Sequence, residues 1–374
     1  MEYKKFDAIN VSSKFAICWL PIRVDTYKTC SFWCRYCFAN CRKIMEFRKF
    51  LQVWDMDKLD KRLDRILNKK EIKPDNFLDN LINNWITWHC WWMSDPFQPI
   101  EQELWITKRL IDISNKYWIH ILFSTKWDSV YWANINPELH TFQLSVTNTK
   151  NMKNIEPNVP DIESRYKFYR ILKDKWFKVW IRIQPFIPNI STLDIVKMFK
   201  DADNFTLEWI KIVPQNEEHK EFILNKLWLK KEDFTQMWLL NLNPRKRIDM
   251  YQDFINYFVE NSIPFSIADN DLHYIWTNKC CCWDRLVNKS TTFNNTAMLF
   301  KWGGEYTKEQ LFWELEKCWV CNCKCYQLFT SNRQEWCKTV KEFFEKRFER
   351  KNSPFSPKFQ YKQDEKQKEQ QSLF

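Results

Sequence analysis

Three closely spaced cysteines carry the clearest chemical signal in the sequence. Three residues separate Cys30 from Cys34 and two separate Cys34 from Cys37, so one loop can bring their thiolates to a single point. No fourth ligand follows in a matching register, whereas a closed structural zinc site uses four protein ligands. Three thiolates instead suit an iron–sulfur cluster that keeps one iron open for a non-protein ligand. A zinc knuckle, or cysteines that only pack in the interior, are the alternatives.

The loop over residues 30–37 resembles the cluster-binding signature of the radical S-adenosylmethionine (radical SAM) superfamily. The resemblance implies a [4Fe–4S] cluster on the three cysteines, with S-adenosylmethionine (SAM) bound to the open iron. One electron then cleaves SAM into methionine and a 5′-deoxyadenosyl radical, while the protein positions the cofactor and excludes competing reactions. The resemblance also implies an electron donor such as flavodoxin or ferredoxin.

A second segment, residues 91–95, is similar to the superfamily segment whose backbone binds the amino group of SAM. Asp95 is a candidate second contact there. Further candidates follow at the ends of later predicted strands, where inward side chains suit a ribose or a carboxylate. The candidate cofactor-binding residues are Trp91, Trp92, Met93, Ser94, Asp95, Ser124, Lys126, Ser145, Arg182 and Gln184. The alternative for each polar residue is an ordinary hydrogen bond in the protein interior.

The order of these segments, over about residues 15–215, resembles the family of spore photoproduct lyase and its DNA-photolyase-like relatives. Residues 156–165 are similar to the family's Glu-Pro-Gly-x-Pro segment and the arginine that follows it. The family's hydrogen-donor cysteine would stand at Trp92, so Cys90, which has the same strand parity, is the candidate catalytic residue. The resemblance implies a nucleic-acid substrate. Modification of a peptide or small molecule with an auxiliary cluster, and zinc-stabilised nucleic-acid binding without catalysis, remain open.

Tryptophan and glycine occur in unusual numbers. The chain has 22 Trp but only 2 Gly among 374 residues, although glycine normally makes up about 7% of a protein. Several tryptophans stand at turns and helix ends that favour glycine, among them Trp33, Trp91, Trp127, Trp176 and Trp228. We predict that most tryptophans are glycine in the natural protein, whose genetic system would read UGA as glycine. The alternative is a tryptophan-rich protein that uses its indole rings for stacking.

The elements that must position these residues alternate between strands and helices. Apolar runs predict strands at 22–27, 85–90, 119–124, 141–146, 178–185 and 207–213, with helices over 101–116, 161–175 and 245–260. Such alternation predicts an α/β protein with a parallel sheet, and the count suits a partial (β/α)6 TIM-like barrel. In barrels of this kind the chemistry lies at the C-terminal ends of the strands.

We predict three regions: the barrel over 1–271, a Cys-rich module over 272–345, and a basic, disordered tail over 346–374. The module's candidate metal ligands are Cys280, Cys281, Cys282, Cys318, Cys321, Cys323 and Cys325. They exceed what one zinc ion needs, so a second iron–sulfur cluster or a zinc site is expected. Free cysteines are the alternative.

Composition limits where the protein acts. The chain has 14 cysteines and no apolar segment after its first residues, which predicts reduced thiols in the cytoplasm. No run approaches the roughly 20 apolar residues of a membrane span, so no membrane association is expected. The net charge of +11 permits nucleic-acid binding but does not establish it.

Overall fold

The structure is a computed structural model. It describes residues 3–11, 20, 22–39, 51–72, 76–91, 93–130, 134–213, 216–226, 234–235, 241–242, 244–269 and 272. Trp92, Trp228 and the seven candidate ligands of the Cys-rich module lie outside the described residues. The predicted boundaries after residues 271 and 345 therefore stay predictions.

Strands and helices alternate through most of the described chain. The strands are β1 (Lys4–Phe6), β2 (Asn10–Val11), β3 (Ile22–Val24), β4 (Gln52–Trp54), β5 (Trp88–Cys90), β6 (Ile121–Thr125), β7 (His140–Ser145), β8 (Val179–Phe186), β9 (Phe205–Trp209), β10 (Phe234–Thr235), β11 (Asn241–Leu242) and β12 (Phe265–Ile267). The helices are α1 (Met56–Leu63), which a π-helical turn (Asp64–Asn68) follows, α2 (Phe77–Asn83), α3 (Glu101–Leu104), α4 (Ile106–Tyr117), α5 (Ile162–Asp174), α6 (Asp194–Met198), α7 (Glu217–Lys226) and α8 (Pro244–Glu260).

The described chain divides into two compact units, and the first contains residues 24–56 and 89–269. Its main sheet has the strand order β12–β9–β8–β7–β6–β5. β6, β7, β8, β9 and β12 pair in parallel, and the register places Ser145 beside Arg182. Helices connect β5 to β6, β7 to β8, β8 to β9 and β9 to β12. The chain is therefore a mixed α/β protein with a parallel sheet, as the sequence predicts.

Aromatic side chains cover one face of this sheet. Phe142 of β7 is fully buried, and its ring centroid lies 5.8 Å from Phe123, 6.1 Å from Phe168 of α5 and 5.6 Å from Phe177. Because neighbouring side chains of a strand point to opposite faces, the residue after Phe142, Gln143, faces away from the helices. The helix-covered face is thus apolar, and the opposite face is free to carry polar groups.

The second unit contains residues 9–23 and 57–88. In it β2 pairs antiparallel with β3, with Val11 opposite Ile22. Asp79 of α2 is fully buried. Its Oδ1 lies 2.7 Å from Arg62 Nη2, and its Oδ2 lies 2.5 Å from Arg65 Nη2. The two guanidinium groups compensate the buried carboxylate, which would otherwise be costly.

Several tryptophans adopt a backbone conformation that favours glycine. In the described part of the chain, nine non-glycine residues have positive φ, and six of them are tryptophan. These six are Trp33 (51°), Trp85 (53°), Trp91 (150°), Trp105 (55°), Trp118 (57°) and Trp176 (64°). The suspected Trp127 does not share this conformation. Trp105 also ends α3 and splits the helix predicted over 101–116 into α3 and α4.

Helix length and polarity bear on membrane association. No helix among the described residues is both long and apolar enough to cross a bilayer.

Candidate active site

The loop between β3 and β4 carries the three predicted cluster ligands. Cys34 is buried, while Cys30 and Cys37 are half-buried, and the Cys37 N–H donates to the Cys34 carbonyl at 3.0 Å. Burial raises the pKa of Cys34, and the neighbouring Cys37 and Cys30 thiols raise it further, while the Lys126 ammonium lowers it. The three thiols are therefore near neighbours. Among the described residues, no three His, Cys, Asp or Glu side chains converge in the arrangement of a metal site.

Gln98 holds the first side of this loop. Its Oε1 accepts the Ser31 N–H at 2.8 Å, and its Nε2 donates to the Thr29 carbonyl at 2.8 Å. Gln98 is 2% exposed, so the two hydrogen bonds are shielded from water. One buried amide thus fixes the backbone on both sides of Cys30.

Residues 155–158 hold the second side of the loop. The Arg35 N–H donates to the Ile155 carbonyl at 2.9 Å, and Asn158 Nδ2 donates to the Ser31 carbonyl at 2.8 Å. The Asn158 N–H also donates to the Phe32 carbonyl at 3.4 Å. The segment that the sequence likens to a family motif therefore packs directly on the three-cysteine loop.

A buried ionic network, formed by Tyr36, Lys126, Thr147, Glu156 and Arg165, lies behind Cys34. Lys126 Nζ lies 2.7 Å from Glu156 Oε1, 2.6 Å from the Tyr36 hydroxyl and 3.2 Å from Thr147 Oγ1. The Tyr36 hydroxyl donates to Glu156, and Arg165 Nη2 lies 3.8 Å from the second Glu156 oxygen. Burial alone would raise the pKa of Glu156, but the two cations and these hydrogen bonds lower it to about 2. The carboxylate is therefore ionised at neutral pH.

Asp95 joins the segment after β5 to the end of β6. Its two carboxylate oxygens accept the Thr125 hydroxyl and the Lys126 N–H, each at 2.7 Å. Burial raises the pKa of Asp95 to about 6, although these hydrogen bonds act in the opposite direction. The neighbouring predicted residues are also bound within the protein: Met93 N–H donates to Asp25 and the Ser94 hydroxyl to the Tyr27 carbonyl.

A polar row crosses the face of the sheet opposite the aromatic residues. His89 Nε2 lies 2.9 Å from the Ser124 hydroxyl, which donates to Gln143 Oε1 at 2.7 Å. Arg182 Nη1 donates a hydrogen bond to the same Gln143 oxygen at 3.0 Å, and Arg182 Nη2 forms an ion pair with Glu208 at 2.8 Å. The row thus links β5, β6, β7, β8 and β9 and joins Ser124 to Arg182 through Gln143.

Three buried polar atoms near this row have no hydrogen-bond partner among the described residues. They are Ser145 Oγ, Arg182 Nε and Gln184 Oε1. Ser145 ends β7, Arg182 lies beside it in the middle of β8, and Gln184 lies two residues further along β8. Ligands of open α/β sheets bind outside the carboxyl ends of the strands. These atoms are therefore available to a ligand at that edge.

Solved structures share this architecture. A tyrosine-to-phenylalanine mutant of spore photoproduct lyase matches with a TM-score of 0.53 and 14% identity, over 71% of this chain and 80% of that one. Spore photoproduct lyase complexed with dinucleoside spore photoproduct matches with a TM-score of 0.52 and 14% identity, over 71% and 81%. The chain has the fold of spore photoproduct lyase. No protein-family model and no curated protein matches the sequence.

A third match is a double mutant of spore photoproduct lyase with bound AdoMet and dinucleoside spore photoproduct. Its TM-score is 0.50 and its identity 14%, over 66% of this chain and 76% of that chain. At this identity the likeness to spore photoproduct lyase concerns the fold alone. The roles of individual residues must therefore be argued from their own contacts.

Cys90 lies apart from the polar row. It is 1% exposed and adjoins His89 on β5, so its side chain points to the opposite face of the sheet. Burial raises the pKa of its thiol, and the nearby Asp25, Asp95 and Glu101 carboxylates raise it further. Within the spore photoproduct lyase fold, its predicted role as a hydrogen donor stays a prediction.

Sequence reasoning missed Gln98, His89, Gln143 and Glu208. Gln98 follows the predicted cofactor segment closely, and its amide carries both a donor and an acceptor, which was the available signal. Gln143 and Glu208 stand at alternate positions of predicted strands, as Arg182 does. Their partners lie on other strands, so the sequence alone could not show which of them meet.

Proposed function

We propose that the chain is a radical SAM enzyme that binds a [4Fe–4S] cluster through Cys30, Cys34 and Cys37. The observation that carries the proposal is a three-thiol loop held from two sides within a parallel α/β sheet of the spore photoproduct lyase fold. The donor set fits the cluster, because three thiolates leave one iron open for SAM. The sheet then forms a partial (β/α)6 barrel whose strand ends surround the cofactor.

Cys30, Cys34 and Cys37 would hold the cluster, which would pass on the electron that cleaves SAM into methionine and a 5′-deoxyadenosyl radical. The chain's own residues bind and orient SAM. Ser145, Arg182 and Gln184 offer buried polar atoms that have no partner among the described residues. The backbone near Trp91 approaches the methionine part, as the sequence predicts. Burial of these groups excludes water, which strengthens their electrostatic interactions with the ligand.

The proposed substrate is nucleic acid, repaired or modified in the manner of spore photoproduct lyase. The support is the fold shared with structures that hold a dinucleoside spore photoproduct, together with a net charge of +11. Cys90 is the hydrogen donor proposed from the sequence, and this role requires that the substrate reach the face of the sheet opposite the polar row, to which Cys90 points. Flavodoxin or ferredoxin is the proposed source of electrons. The described residues offer no contact that favours a peptide substrate over nucleic acid.

Anaerobic reconstitution with iron and sulfide tests the cluster. It should be done with the chain as printed and with glycine at the six left-handed tryptophan positions. We expect a brown protein that releases 5′-deoxyadenosine from SAM on reduction, and a Cys34→Ala variant that loses both properties. Cys90→Ala serves as the matched cysteine control for iron content. A colourless protein that holds only zinc would contradict the proposal.

The substrate is tested separately with dinucleoside spore photoproduct and an undamaged thymine dinucleoside. We expect repair of the first and no reaction of the second. If Cys90 donates the hydrogen, Cys90→Ala should still cleave SAM but form altered products. Cleavage of SAM without any reaction of the photoproduct would retain the radical SAM enzyme and reject this substrate.

A further inference from the structure

The three-cysteine loop is fastened by contacts that involve no metal. Its residue Tyr36 stands between Cys34 and Cys37, and its phenol reaches a carboxylate far along the chain, Glu156. We infer that Glu156 is a positioning residue that fastens this loop by joining Tyr36 to Lys126 and Arg165 before any iron binds. The inference goes beyond the proposed function but rests on it where it concerns the cluster.

Glu156 is the centre of the network because both of its oxygens are used. Tyr36, Lys126 and Thr147 contact Oε1, with Lys126 at 2.7 Å and Thr147 at 3.1 Å. Arg165 approaches Oε2 at 3.8 Å and also donates to the Ser145 carbonyl at 3.0 Å. Glu156 is 4% exposed. A carboxylate so buried is tolerated because it is paired and hydrogen-bonded.

The network connects three elements that lie far apart in the chain. Tyr36 belongs to the loop after β3, Lys126 follows β6, and Arg165 lies on α5. Next to Glu156, the Ile155 carbonyl accepts the Arg35 N–H at 2.9 Å. A displacement of Glu156 is therefore transmitted to the backbone on either side of Tyr36, and so to Cys34 and Cys37.

The same contacts define how Lys126 acts. Its ammonium has three donors, and Glu156, Tyr36 and Thr147 supply three partners. In this arrangement Lys126 acts on the cofactor through the loop. A direct contact with SAM, as the sequence predicts, requires that one of these hydrogen bonds be exchanged.

Hydrogen exchange of the full chain tests the inference without iron. Glu156→Gln keeps the shape of the side chain but removes the charge that binds Lys126 and Arg165. We expect the amides of Arg35 and Cys37 to exchange at least tenfold faster in this variant, with unchanged helix content. Glu163→Gln, an exposed glutamate that contacts Asn151 at 3.1 Å, is the matched control and should leave the loop unchanged.

A second variant keeps the inference testable if Glu156→Gln does not fold. Tyr36→Phe removes only the contact on the loop side and should raise the same exchange rates. After reconstitution, both variants should lose iron to a chelator at least tenfold faster than the parent, with a broadened electron paramagnetic resonance signal of the reduced cluster. Equal loop exchange in the parent and both variants would overturn the inference. Faster loop exchange in both variants, together with a parent protein that binds no iron, would support the inference and reject the proposed function alone.

A different observation carries a second inference. Four described helices end in the same hydrogen-bond pattern, in which a left-handed residue bonds back to the last turn; this residue is Ser262 after α8 and tryptophan after the other three. After α5, the Trp176 N–H donates to the Lys173 carbonyl at 2.9 Å, and the Phe177 N–H to the Leu172 carbonyl at 3.0 Å. Glycine is the usual residue at the left-handed position of this motif, because a Cβ atom is unfavourable there.

Trp118 and Trp85 occupy the equivalent positions after α4 and α2. The Ile119 N–H donates to the Ser114 carbonyl at 2.8 Å, and the Ile86 N–H to the Leu81 carbonyl at 3.2 Å. The side chains gain little from these positions, because Trp118 is 52% exposed and Trp176 is 88% exposed. A tryptophan whose role is stacking in the interior would not be solvent-exposed at a helix end.

The geometry points to glycine in the natural protein at the six left-handed tryptophan positions. The messenger RNA should carry UGA codons at these positions, and peptides of the natural protein should have the mass of glycine there. UGG codons, or tryptophan in those peptides, would overturn the inference.

Stability provides an independent test. Trp118→Gly and Trp176→Gly should each shift the unfolding equilibrium toward the native state by roughly tenfold, because the left-handed conformation disfavours a Cβ atom. Trp→Ala at the same positions is the matched control, since alanine removes the indole but keeps the Cβ atom. Equal effects of glycine and alanine would contradict the backbone explanation.

Discussion

Asp95 and Glu156 are both buried carboxylates near the three-cysteine loop, yet burial decides the pKa of only one of them. Asp95 accepts hydrogen bonds from a hydroxyl and backbone N–H groups, and burial raises its pKa to about 6. Burial acts on Glu156 too, but Lys126 and Arg165 outweigh it and lower the pKa to about 2. Formal charges in contact, rather than depth, therefore determine which carboxylate stays ionised.

Glu156→Gln should change how stability depends on pH. The pKa of Glu156 falls from 4.5 to about 2 on folding, so its contribution is present above pH 4.5 and is lost as the pH falls toward 2. The difference in unfolding free energy between parent and variant should be about 3 kcal/mol at pH 6 and shrink toward pH 2. Urea unfolding between pH 3 and 6 measures it. A difference that stays constant with pH would refute the assignment, and Glu163→Gln should follow the parent at each pH.

Gln98→Leu should loosen the loop from its other side. The substitution leaves the Ser31 N–H and the Thr29 carbonyl without their partner, and unmade buried hydrogen bonds cost about 1–3 kcal/mol. We expect a lower free energy of unfolding of that order and less iron bound per chain after reconstitution. Gln102→Leu, an exposed position on α3, is the control. Equal iron content in the two variants would show that Gln98 does not hold the loop.

Local sequence patterns predict the elements well where the strands are long. The predicted strand at 178–185 lies within one residue of β8, because a long apolar run at a sheet centre has few alternatives. The three-residue strand β1 gave no signal, and β4 lies within residues 40–82, whose interleaved charges wrongly predict helix there, since the pairing of these strands joins residues far apart in the chain. The cysteine loop was recognisable for the opposite reason: its ligands are local. Gln98 and Asn158, which hydrogen-bond to the loop, were not recognisable, because nothing in a sequence gives their distance from the loop.

The packing between the sheet and α5 offers a prediction for these elements. Phe142 is fully buried and has several ring neighbours, so Phe142→Ala should cost about 3–5 kcal/mol of stability. Urea denaturation measures the loss. Ile171→Ala on the outer side of α5, where Ile171 is 51% exposed, should cost less than about 0.5 kcal/mol. Similar losses in the two variants would show that this face of the sheet is not the core of the unit.

At the scale of the whole molecule, the proposed cluster should act as a ligand of the native state. A group that binds the native but not the unfolded chain raises the melting temperature, as mass action requires. Reconstituted protein should therefore unfold several degrees higher than iron-free protein, with loss of iron–sulfur absorbance at the same midpoint. A chelator should reverse the gain, and Cys34→Ala should show none. Bleaching of the absorbance well below the unfolding midpoint would mean that the cluster does not stabilise the fold.

The hydrogen bonds from Gln98 and Asn158 to the loop have a consequence for the order in which the protein folds and the proposed cluster is inserted. A ribosome makes the three cysteines long before it makes residue 158, so the newly made thiols wait without the hydrogen bonds that later hold them. Iron delivered to a nascent chain would thus encounter a loop without these hydrogen bonds, whereas iron delivered to the finished chain would encounter a loop that they hold in place. Cluster loading should follow the completion of folding, and a chain cut short before residue 158 would leave its thiols to oxidation and to proteolytic clearance.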